Sequence, residues 1–131
     1  MKAVFTASLY PLEDGTGFQA CVPDVPGCVT TGRDLQDTLD NIRDALGGCL
    51  CALEDVNEPL PAPRMPQDFP SEPDATRILI DVDTLQYRIH TDTRAVRKNV
   101  SLPSWMNAMA DRQGINCSQV LQEALRQRLG M

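Results

Sequence analysis

Aromatic residues are scarce in this 131-residue chain. Phe, Trp and Tyr together make 5% of it, with one Trp, which limits how large any single hydrophobic core can be. Histidine occurs once, at His90, so neither a Ser-His-Asp nor a Cys-His catalytic set is expected, and a zinc site has little to draw on. There is no CxxC pair and no glycine-rich phosphate loop. No apolar run approaches the roughly 18 residues that a membrane span needs. The opening MKAVFTASLY alternates in polarity rather than building a signal-peptide core. A soluble, cytoplasmic protein is therefore expected. The cysteines (Cys21, Cys28, Cys49, Cys51 and Cys117) are odd in number. Without a secretion signal they read as reduced thiols serving as small apolar residues. No metal and no cofactor is expected.

Apolar residues make 42% and charged residues 23% of the chain, near the globular average, so the chain should fold. The net charge of −6 conceals a division. Residues 1–76 hold four Lys/Arg and thirteen Asp/Glu, a net −9, whereas residues 77–131 hold eight and five, a net +3. An acidic front and a basic back suggest two modules with different partners. Between them, residues 57–74 hold six of the ten prolines. Each removes an N–H donor and fixes φ, so residues 57–76 read as an extended, partly flexible linker or arm.

In the front module, Ala3, Phe5, Ala7 and Leu9 alternate with Lys2, Thr6, Ser8 and Tyr10, the pattern of a half-buried strand. The turn Glu13-Asp14-Gly15-Thr16-Gly17 leads to a second strand with Phe18, Ala20 and Val22 on its apolar face, so the two form a hairpin. A rigid PDVPG turn follows, then a short strand at 28–31. Asp34 is positioned to cap a helix of about 18 residues, with Leu35, Leu39, Ile42, Leu46, Cys49, Leu50 and Leu53 on one face. Beyond the prolines, Ile78, Leu79, Ile80 and Val82 suggest a fourth strand over 77–83 that could rejoin the sheet, with 84–94 as a connector.

The last third, 95–131, reads as strand (96–102), helix, helix. Ser104 is placed to cap the first helix, Gly114 breaks it, and Asn116 caps the second, with Gln119 at the capping-box position. Such a unit is too small to bury an adequate core alone, and a lone strand leaves two edges unpaired. Two copies pairing their strands and packing four helices solve both problems, so a homodimer is expected.

The run Tyr10-Pro11-Leu12-Glu13-Asp14, then Gly17-Phe18, VPDVPGCVTTG at 22–32 and Asp34-Leu35, resembles the HicB antitoxin family. The stretch VRKNVSLPSWMNAMADRQGINCSQVLQEALRQRL at 96–129 resembles a ribbon-helix-helix DNA-binding unit, which one branch of that family carries. The resemblance implies an α+β protein. Its front would be a β-β-β-α-β degenerate ribonuclease H-like domain without catalysis, and its back a dimeric β-α-α ribbon-helix-helix domain. It implies an antitoxin that neutralises a HicA-type basic ribonuclease toxin and represses its own operon by binding operator DNA. The dimer would form through the C-terminal domain, with a tetramer through the N-terminal domains as a further option.

The residues support a division of tasks. A nuclease of this type needs carboxylates gathered round two metal ions, yet Asp14 and Asp24 fall in turns and Asp34, Asp37, Asp40 and Asp44 on a helix start and outer face. An acidic front can instead attract a basic partner. Tyr10, Asp14 and Asp24 are the candidate toxin contacts. In the back, alternation over 96–102 sets Arg97, Asn99 and Ser101 on the face away from Val96, Val100 and Leu102. Those three residue types can read base edges from a ribbon in the major groove. Lys98 departs from the family's apolar pattern and is expected to reach phosphate. The second helix's start, Asn116, Cys117 and Ser118, offers free N–H groups to phosphate, though Cys117-Ser118 stands where relatives often have Arg-Ser. Two other functions remain open at this level: a ligand-sensing stand-alone transcription regulator, and a residual ribonuclease H-like nuclease.

Overall fold

The computed structural model describes residues 1–92 and 94–131, which divide into two compact units, Met1–Arg94 and Ala95–Met131. The first carries seven basic and sixteen acidic residues, the second five and two. Among the described residues they hold one four-stranded antiparallel sheet and four helices, an α+β arrangement.

In the first unit, β1 (Lys2–Pro11) and β2 (Phe18–Cys21) form the expected hairpin, with Tyr10 opposite Gln19 and Leu9 opposite Ala20. β3 (Val29–Gly32) pairs with β2. The helix α1 (Leu35–Asp55) is slightly longer than its apolar pattern suggested. Asp34 caps it as expected, its side chain accepting a 2.8 Å hydrogen bond from the Asp37 N–H. Ile42, Leu46 and Leu50 of α1 pack onto Phe5, Ala7 and Leu9 of β1 and Ile80 of β4 (Thr76–Asp83), all at most 3% exposed. Each fully buried large side chain stabilises the unit by about 1.5–3 kcal/mol.

β4 rejoins the sheet beside β1, giving the order β3-β2-β1-β4, and it runs antiparallel to β1, from Lys2 opposite Asp83 to Leu9 opposite Thr76. A strand entered directly from a crossover helix would run parallel. Residues 57–75 intervene, and their path reverses the strand.

That path differs from a flexible linker. Thr6 and Ser8, on the face of β1 away from α1, are buried as completely as Phe5 and Ala7. The proline-rich arm covers them. Thr6 Oγ1 donates to the Arg64 carbonyl at 2.8 Å. Arg64 reaches Asp24 twice, through its N–H at 2.8 Å and its Nε at 2.7 Å. Tyr10 donates to Glu72 at 3.0 Å, and Arg77 donates to the Pro70 carbonyl at 2.7 Å. The Arg64 and Arg77 guanidiniums both lie over the Phe69 ring, 4.2 and 5.2 Å from its centre. A 3-10 turn at Pro66–Asp68 gives the arm local order. The arm thus forms a second layer, held by charge-assisted bonds and cation–π contacts where prolines cannot supply ladder bonds.

The stretch expected as a connector is a helix, α2 (Thr84–Thr91). Asp83 caps it, accepting from Leu85 N at 3.0 Å. It docks on α1, where Gly47 leaves room for the Tyr87 ring; a Cβ at Gly47 would overlap that ring. Arg88 secures the docking by donating to the Cys51 carbonyl at 3.1 Å and pairing with Asp55 at 2.9 Å.

In the second unit, α3 (Ser104–Arg112) and α4 (Cys117–Leu129) are the expected helices. Ser104 is the first helical residue rather than the cap; Pro103 holds the cap position without a side-chain bond. Residues 95–103 form no strand. A strand exists only by pairing, and this unit holds one such segment.

Candidate functional site

The front candidates occupy different local environments. Asp14 sits in the hairpin turn, where Gly15 takes φ +72°. Its Oδ1 accepts from the Thr16 N–H at 3.0 Å and the Thr16 hydroxyl at 2.6 Å. Those bonds, the hydroxyl's first, hold its carboxyl below the usual range. Tyr10 is half-buried at the end of β1 and bonded to Glu72. Burial, then the hydrogen bond and negative charge of Glu72, push its phenol up. Asp24 has a side chain only 7% exposed, and Arg64 occupies both of its oxygens. The arm therefore ties Tyr10 and Asp24 together as anchor points, and Asp14 is the one of the three with an exposed side chain.

The freely presented negative charge lies elsewhere. Glu13, Asp40 and Asp44 are exposed. Asp37 is bound to Arg33 instead, through its N–H at 2.9 Å and its Nε at 3.4 Å, which lowers the Asp37 carboxyl below its usual range. The sequence pattern had placed Asp37, Asp40 and Asp44 on the outer side of this helix without naming them as contacts. The arm's role was missed altogether. Its signal was Phe69 and Arg64 amid prolines, with Arg77 just beyond them, opposite a strand that turns Thr6 and Ser8 outward.

In the second unit, Arg97, Lys98, Asn99 and Ser101 are all exposed, and none makes a side-chain hydrogen bond to the described residues. Val100 and Leu102 line an apolar groove with Met106, Ile115, Val120 and Leu121; Arg97, Asn99 and Ser101 do not. Lys98 lies beside Ser118 and Gln122 of α4. Asn116 spends its side chain on the cap, accepting from Gln119 N at 3.2 Å, whereas Cys117 and Ser118 are exposed at the first turn.

This unit has no buried residue; only Ala110 and Leu121 are even half-buried. Val96, Trp105, Met109 and Leu129 are 51–88% exposed. Among the described residues, no group of three or more His, Cys, Asp or Glu could hold a metal ion, and no helix is long and apolar enough to cross a membrane. Among the thiols, Cys28 is buried and pushed up to about 12, chiefly by that burial, so it is no nucleophile at neutral pH.

Comparison with solved structures shows the same fold. Over 98% of its length the chain is similar to a chain of a toxin–antitoxin complex from Streptococcus pneumoniae, covering 99% of that chain at 22% identity with a TM-score of 0.58. It is similar over 97% of its length to the Burkholderia pseudomallei antitoxin HicB, covering 96% of it at 24% identity with a TM-score of 0.55. Among curated proteins, an uncharacterized 14.9 kDa protein from the rep-hol intergenic region of Haemophilus phage HP1 is 24% identical over 99 residues, 73% of this chain and 74% of that protein. The family model of the HicB-like antitoxins of bacterial toxin–antitoxin systems matches residues 5–124, nearly the whole chain across both units, and the protein therefore belongs to that family.

Proposed function

We propose that the first unit neutralises a HicA-type basic ribonuclease toxin and that the second, as a homodimeric ribbon-helix-helix domain, binds operator DNA and represses the chain's own operon. One observation carries the division: an acidic unit with a complete core adjoins, in sequence, a basic unit that buries nothing. The acidic unit can fold alone and present Glu13, Asp14, Asp40 and Asp44 to a cationic partner. The basic unit gains a core only when a second copy covers its apolar groove, and pairing of two 96–102 segments would then turn Arg97, Asn99 and Ser101 outward together. The element order β-β-β-α-β of the first unit supports its reading as a degenerate ribonuclease H-like domain. Neither task asks for a cofactor or for catalysis.

The test is a titration on operator and scrambled DNA at two salt concentrations. Arg97→Ala should lose about 1–3 kcal/mol on the operator, concentrated at one base position per half-site. Lys98→Ala should weaken both DNAs alike and flatten the salt dependence. Toxin neutralisation should be unchanged in both variants. Operator affinity equal to wild type in Arg97→Ala would remove the ribbon-face assignment.

A further inference from the structure

Two cysteines distant in sequence meet in the first unit. The PDVPG turn fixes one of them. Cys28 donates its N–H to the Val25 carbonyl at 3.1 Å, and its own carbonyl accepts from Val22 N at 3.0 Å. The residue is 1% exposed. The helix α1 brings the other. β3 and α1 lie side by side and run in opposite senses: Gly32 sits against Thr38, and the Thr31 carbonyl accepts from Asn41 at 2.9 Å. From Thr31 back to Cys28 the chain covers about 10 Å at the rise of a strand. The same length of helix beyond Asn41 is about seven residues, which ends beside Cys49. Thr38, Asn41, Ala45 and Cys49 follow one another at three- and four-residue steps along one side of α1. The two thiols accordingly lie within hydrogen-bonding reach of each other, and Cys49 packs against the apolar cluster to which Cys28 belongs.

The remaining cysteines are placed elsewhere. Cys21 stands opposite Val29 and so, by strand alternation, faces away from α1, unlike the buried Ala20 and Val22. Cys51 turns toward α2, its thiol donating to the Thr84 carbonyl at 3.7 Å. Cys117 belongs to the second unit.

We propose that Cys28 and Cys49 form a reversible disulfide when the protein meets hydrogen peroxide, fastening the PDVPG turn to α1 and stabilising the first unit. The chemistry is independent of toxin and of DNA. Cys49 reacts first, because it is half-buried and open to solvent on one side whereas Cys28 is buried. The Cys49 sulfur attacks the peroxide, an S–O bond forms as the O–O bond breaks, and the departing oxygen takes the thiol proton as water. The product is a sulfenic acid, which condenses with a neighbouring thiol. Cys28 is too deeply buried and too fully protonated to open this sequence. It closes it: its sulfur bonds to the Cys49 sulfur, the S–O bond breaks, and its proton leaves with the hydroxyl as a second water. Contact between the two side chains supplies the effective concentration that an external reagent lacks. The bond closes the loop from 28 to 49 and removes entropy from the unfolded chain, which favours the folded unit on the order of 100-fold.

The experiment treats the full-length protein with hydrogen peroxide, blocks free thiols with N-ethylmaleimide and maps the peptides by mass. A linked Cys28–Cys49 peptide should accumulate, and dithiothreitol should remove it. The urea midpoint of the first unit should rise in the oxidised wild type and return on reduction. In Cys49→Ser the same treatment should leave Cys28 a free thiol, and the midpoint should not rise. In Cys28→Ala, Cys49 should stop at the sulfenic acid and be tagged by dimedone. A brief peroxide pulse with dimedone present reads the same order in the wild type, tagging Cys49 and not Cys28, so the test stands even where Cys28→Ala fails to fold. Absence of the link, a link from Cys28 to any other cysteine, dimedone on Cys28, or an oxidised chain no more stable than the reduced one would each overturn the proposal.

Discussion

Asp24→Ala tests whether the proline-rich arm is a structural layer. Both oxygens of Asp24 accept from Arg64, at 2.7 and 2.8 Å, in a carboxylate only 7% exposed. Hydrogen bonds to a charged group contribute about 1.5–3 kcal/mol each. Arg64 is half exposed, however, so after the substitution water solvates its guanidinium and the penalty of a stranded charge is small. About 2 kcal/mol of arm docking should be lost, a factor of roughly 30 in the opening equilibrium. The described hydrogen bonds of Asp24 all go to Arg64, so the α1–sheet core from Phe5 to Ile80 should persist. Hydrogen exchange read by mass spectrometry locates the effect: the Asp68 and Phe69 amides, bonded within the 3-10 turn to Met65 and Pro66, should exchange some 30-fold faster, while amides of α1 and β1 keep their protection. Unchanged exchange at Asp68 and Phe69 would show that the arm is held by other means. Uniform acceleration across α1 would show that arm and core unfold as one unit.

Four further outcomes are expected. Gly47→Ala should loosen α2 despite alanine's helix propensity advantage of about 1 kcal/mol, because the new Cβ meets the Tyr87 ring; exchange in 84–91 should rise, and Tyr87→Ala in the same chain should restore the advantage to α1. Alkylation by iodoacetamide at pH 8 should modify exposed Cys117 readily and buried Cys28 not at all in the folded protein, as read by intact and peptide masses. Asp37 has a folded pKa below the ordinary 3.8, so its contribution is fully present above that value and is lost as pH falls through the lower folded value; Asp37→Asn should remove that component of the acid limb of a stability-versus-pH curve. Val120→Lys, on the apolar groove of the second unit, should abolish dimerisation there and operator binding with it, in gel filtration and in the DNA titration respectively.

The local elements were largely legible because their causes are local. Alternation in residues 2–10 fixed β1, Asp34 followed by leucines at three- and four-residue steps fixed α1, and Asn116 with Gln119 fixed the start of α4. The family, too, was carried by short motifs at 10–35 and 96–129. The position of β4 beside β1 was foreseeable only as an option, and its direction was not, because the route of residues 57–75 decides it. Proline density reported correctly that this stretch forms neither helix nor ladder strand. It could not report that Thr6, Tyr10, Asp24 and Arg77, distant in sequence, would supply the bonds that hold it down. For the same reason the bonds of Tyr10 and Asp24, chosen as toxin contacts, to Glu72 and Arg64 of the arm were not foreseen, and α2 was hidden in a polar stretch whose helix depends on the space above Gly47. What residues 96–102 become is decided at a further level again. Their alternation is written in the sequence, but a strand requires a partner's N–H and C=O groups, and one copy of the unit has none to offer.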